Sequence, residues 1–121
     1  MVTVHEIPPQ MRPTLLECMN KLKEIIILFR KFLDTEDYSY VEEAYRLNQE
    51  VKSNPEFLKF MSGYADLDNN IQAMYNMVKE RGGDVDSLTH GKLSNQAVYI
   101  ITRANIIYTG LEFRMKRMRK G

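Results

Sequence analysis

The chain has 121 residues, enough for one hydrophobic core and too few for two. Apolar residues at 44% and charged residues at 27% exclude a disordered polymer, and a net charge of +1 excludes a uniformly basic binder. The lone Cys18 excludes an internal disulfide, and the longest aliphatic–aromatic run, Ile25–Phe29, is far below the ~20 residues that cross a bilayer.

In chain order, residues 1–13 read as an extended N-terminal segment. They lack a basic stretch followed by an apolar one, so no secretory signal is expected and the protein is expected to be cytoplasmic. Thr14 with Glu17 three residues later forms a capping-box signature behind Pro13. Leu15, Met19, Leu22, Ile26, Phe29 and Leu33 then recur at spacings of four and three, which predicts a first helix over about 14–33. Cys18, Ile25 and Phe32 widen its apolar stripe.

Ser39 with Glu42 repeats the capping signature and opens a second helix, 39–52, with Tyr40, Ala44, Leu47 and Val51 on its apolar face. Asn54, Pro55 and Glu56 are start signals for a third. Phe60, Tyr64, Leu67, Ile71, Met74 and Val78 keep the four–three spacing past Gly63, so one helix is predicted over 55–81, ended by Gly82-Gly83. A glycine inside it costs roughly 1 kcal/mol relative to alanine. Residues 82–93 read as a long loop.

Ala97, Ile101, Ala104, Tyr108, Leu111, Met115 and Met118 predict a fourth helix over 94–119. Four amphipathic helices on mostly short links define an all-α single domain, an antiparallel four-helix bundle with coiled-coil-like packing.

The last helix carries a second apolar face. Tyr99, Ile106 and Phe113 recur every seven residues, roughly opposite Ala97 on the wheel. Leu16 and Ile27 give the first helix a weaker version. Such a face, with tyrosine and phenylalanine as anchors, marks a protein interface: a homo-oligomer or a protein partner is expected along these five residues.

Charge is segregated. Residues 34–50 hold six acids against Arg46, and residues 103–121 hold six bases against Glu112. Arg114, Lys116, Arg117, Arg119 and Lys120 surround the end of the last helix, where cations interact favourably with exposed carbonyls. Spread round the whole wheel, they suit contact with an acidic partner or with phosphates rather than base reading.

No catalytic or metal signature emerges. His5 and His90 have no neighbouring ligand pattern. Asp66-Leu67-Asp68-Asn69-Asn70 begins like a calcium loop but has Ile71 and Met77 where glycine and glutamate are required. Cys18 sits beside the core stripe, as a structural thiol does. No cofactor, small-molecule substrate or membrane insertion is expected. The leading expectation is a non-enzymatic helical assembly or interaction protein (adaptor, inhibitor or scaffold subunit) acting through its C-terminal helix. The alternative is an accessory protein that binds nucleic acid non-specifically through oligomerised basic tails.

Overall fold

The computed structural model describes residues 8–61, 63–82 and 84–119, with the side chains of all but Glu56, Met118 and Arg119. The described residues are helical with short links: α1 (Arg12–Thr35), α2 (Ser39–Lys52), the single turn α3 (Pro55–Leu58), α4 (Tyr64–Glu80) and α5 (Ser87–Arg119). The four long helices form a ring in which α1 packs on α2 and α5, and α4 packs on the same two. Cross-links of side chains fix an up-down-up-down order. Lys21 pairs with Glu50 at 3.2 Å, Lys52 with Asp68 at 3.2 Å, and Gln96 donates to Asn70 Oδ1 at 3.1 Å. The predicted antiparallel four-helix bundle is the observed fold.

The core follows the apolar stripes, except that on α5 Ile100 and Ile107 are buried in place of the expected Ile101 and Tyr108, which are half-buried. Leu15, Leu22, Ile25, Phe29 and Phe32 of α1 are fully buried against Leu67, Ile71 and Met74 of α4 and Ala97, Ile100 and Leu111 of α5. Each large side chain of this kind contributes roughly 1.5–3 kcal/mol by leaving water.

The helix ends depart from the expected signatures. Thr14 and Glu17 cap nothing. A 3-10 turn at Pro9–Met11, closed by Met11 N–H donating to the Pro8 carbonyl at 2.9 Å, starts the helical path earlier, and α1 begins at Arg12. Pro13 is accommodated because first-turn amides have no intrahelical acceptor. Ser39 does not cap α2 either. Its amide donates to Asp37 Oδ1 at 3.0 Å, and hydrogen bonds from Ser39 hold the Asp37 carboxyl below its ordinary value.

The predicted third helix is two. Gly63 has φ +82°, a left-handed conformation that a continuing α-helix does not contain, and α4 starts after it. The spacing carries across the break because Phe57, Met61 and Tyr64 all still face the core. The predicted loop 82–93 is shorter. Asp86 Oδ1 accepts the Thr89 N–H at 2.7 Å, a side-chain cap that starts α5 at Ser87.

The buried face of α2 is Val41, Ala44, Asn48 and Val51, rotated from the expected Tyr40 and Leu47, which are half-buried. The rotation serves a polar clamp. Buried Asn48 donates to Asp68 Oδ1 at 2.8 Å and accepts from the Tyr64 hydroxyl, while Gln72 donates to the same Asp68 oxygen at 3.0 Å. Burial pushes the Tyr64 hydroxyl far up, so it remains a donor. Burial also pushes Asp68 up, but hydrogen bonds from Gln72, Asn48 and Lys52 and the Lys52 charge reverse this and hold its carboxyl below the usual range.

A carboxyl held below its unfolded value contributes stability that is whole above the unfolded pKa of about 3.9 and is lost as pH falls through the folded value. Asp68→Asn is therefore expected to be less stable than the parent chain at pH 7. The difference in Tm should close as pH falls below about 4. Thermal melts of both chains between pH 7 and pH 3 check this, and a difference that stays constant with pH would contradict it.

A candidate association surface on α5

The ring of helices leaves one side of α5 facing outward, between the flanks held by α4 and α1. Tyr99, Ile106 and Phe113 lie along it seven residues apart, with Leu88 eleven residues before Tyr99 and Val98 beside them. Their exposure is high where it matters most: 72% for Leu88, 58% for Ile106 and 61% for Phe113. Between Lys92 and Glu112 the only charged residue is Arg103. Its Nε lies 3.6 Å from Asp66 Oδ2, directed at α4 and off the outer face. The remaining exposed positions of this stretch are Asn95, Thr102, Thr109 and Gly110. Nothing lies within 4 Å of where a side chain on Gly110 would begin, so helix backbone itself is open there.

Tyr99 is the most constrained member. Its hydroxyl donates to Asp66 Oδ2 at 2.5 Å, and the Arg103 guanidinium lies 5.9 Å from its ring centroid. The hydrogen bond to Asp66, with burial, pushes the Tyr99 hydroxyl up. The ring is thus held against the α4 edge, leaving Ile106 and Phe113 as the projecting side chains.

Leu16 and Ile27 are exposed too, but they share the outer face of α1 with Asn20, Lys23 and Arg30. Single apolar residues among cations are ordinary surface. The outer face of α5 differs because its uncharged stretch is continuous over some five turns.

The basic residues expected to act together are divided by the structure. Arg114 is half-buried and donates from Nη1 to the Phe60 carbonyl at 2.5 Å, satisfying the link between α3 and α4. Lys116 and Arg117 are exposed, and the Arg117 guanidinium lies 5.8 Å from the Phe113 ring. The Arg119 side chain and all of Lys120 lie outside what is described.

The opposite end of the bundle is acidic. Glu36, Asp37, Asp84 and Asp86 are exposed round the start of α5. His90 ties this end together: its Nδ1 is 2.5 Å from the Tyr38 hydroxyl and its Nε2 is 3.3 Å from Glu36 Oε1. Phe32 packs beneath, 5.4 Å from the Tyr38 ring and 5.9 Å from the His90 ring. Glu36 takes φ +60° to reach this position, a left-handed helix cap normally given to glycine.

A depression of about 310 Å³ lies nearby, lined by Tyr38, Ser39, Glu42, Tyr75, Val78, Lys79 and Gly82. Among the described residues no group of three His, Cys, Asp or Glu side chains could hold a metal ion, and no helix is long and apolar enough to cross a membrane. Cys18 is buried, its thiol pushed up by desolvation.

No protein-family model matches the chain, and comparisons with curated proteins and with solved structures find no match.

Proposed function

We propose that the protein is a non-enzymatic helical interaction module that works by association along the outer face of α5. The observation that carries this reading is the uncharged, outward face bearing Tyr99, Ile106 and Phe113. Leaving projecting Ile and Phe side chains in water forfeits roughly 1.5–3 kcal/mol each, a loss that a binding partner recovers. The bundle beneath is a rigid support: the face belongs to a 33-residue helix held on two sides by packed neighbours. Aromatic anchors on such a helix are the side chains that dominate binding energy.

A photo-reactive residue at position 106, expressed in the native cells, tests the reading. It should give a discrete covalent adduct with another polypeptide, while the same residue at exposed Asn76 on α4 should not.

A further inference from the structure

Resting on the reading of α5 as an association surface, we propose that its occupant is a second copy of the chain. The two α5 helices lie antiparallel, related by a two-fold axis midway between Tyr99 and Thr102.

Charge decides the direction. Asp84, Asp86, Glu36 and Asp37 are exposed round the start of α5 and outnumber the nearby exposed Arg81 and Lys92, and Lys116 and Arg117 are exposed at its other end against Glu112. A parallel pair sets acid against acid at one end and base against base at the other. An antiparallel pair sets opposite charges together at both ends, and a two-fold axis makes the two ends identical.

The exposed apolar residues decide the register. About a midpoint between Tyr99 and Thr102, Tyr99 meets the partner's Thr102, Ile106 meets the partner's Asn95, and Phe113 meets the partner's Leu88. Arg117 then reaches the partner's Asp84. A two-fold axis at Ile106 stacks the two isoleucines but leaves Leu88, 72% exposed, beyond the end of the partner helix. It also brings Lys92 to the partner's basic end. The first register covers every exposed apolar residue of the seam and pairs the charges.

Crosslinking of purified protein tests the arrangement. Leu88→Cys and Phe113→Cys chains are made separately and treated with a short bismaleimide, alone and mixed; Cys18 is buried and does not compete. Positions 88 and 113 are about 37 Å apart along α5 at 1.5 Å per residue, so antiparallel copies link only 88 to 113 across the interface. A covalent dimer from the mixture and little from either chain alone is the expected result.

A charge swap provides a second readout that keeps the apolar anchors. Arg117→Glu and Asp84→Arg should each raise the dimer Kd about tenfold, because symmetry repeats each change at both ends. The two changes in one chain should restore it to within about threefold of the parent.

Covalent dimers from either cysteine chain alone, a dimeric mixture that gives no product, or a double charge variant weaker than both singles overturns the proposal. So does a monomer mass for the unsubstituted chain, which is also the result if residues 1–7 cover the face from within. A monomer mass leaves the association reading standing if position 106 still captures a different protein in cells.

Discussion

Ile106→Glu should abolish association while leaving the bundle folded. Ile106 is 58% exposed, so within one chain the change replaces an unfavourable exposed side chain by a better helix former. Exposed substitutions of this kind stay within about 0.5 kcal/mol of the parent stability. At an interface the same change places a carboxylate between Tyr99 and Phe113 and, in the proposed register, against the partner's uncharged Asn95, while Arg103 is held by Asp66. An unpaired charge there costs roughly 3 kcal/mol or more, a loss of at least about a hundredfold in affinity. Native mass by light scattering should fall to that of the monomer, with far-ultraviolet circular dichroism and Tm unchanged. A variant that keeps the parent mass, or that loses its helicity, contradicts the expectation.

The second large effect is on stability. Phe32→Ala should destabilise the fold by about 3–5 kcal/mol and lower Tm by roughly 12–20 °C for a domain of this size. Phe32 is fully buried, and its ring carries the Tyr38 and His90 rings that join the α1–α2 corner to the start of α5. Removing it opens a cavity under three elements at once, where collapse of one cannot fill the space left by the others. Denaturant unfolding followed by circular dichroism measures the change, and a loss under 1 kcal/mol would show that the corner repacks. His90→Ala at the surface of the same cluster should cost much less, since His90 remains partly exposed.

These two residues also show what a sequence discloses and what it withholds. The stripe of α1 was legible because four–three spacing records burial directly, whereas on α5 the same spacing placed Ile101 and Tyr108 inward although Ile100 and Ile107 are the buried residues; Phe32 and Ile106 still fall on opposite sides of that division. The outward placement of Tyr99 and Phe113 followed from the same wheel. Leu88 was legible in principle, since it lies eleven residues before Tyr99 and so returns to the same side of the helix, but reading 82–93 as a loop hid it. The signal for the earlier helix start was Asp86, a good capping residue directly before Ser87.

What stayed hidden depends on contacts between distant residues. Periodicity cannot separate a helix that passes through Gly63 from one that turns at Gly63, because three core residues flank the turn in phase. The turn is stabilised from α5, by Arg114 on the Phe60 carbonyl. Nothing in the spacing of Arg114 distinguishes it from Lys116 or Arg117, so a side chain used within the fold read as part of a binding cluster. The burial of Asn48 on α2 was hidden for a similar reason, because its partners Tyr64 and Asp68 lie on another helix.

The most direct test of association along α5 is photo-crosslinking in native cells with the reactive residue walked through positions 99, 106, 113 and 76. The account predicts discrete adducts from 99, 106 and 113 and none from 76. Equal yields at all four positions, or adducts from position 76 alone, would contradict it.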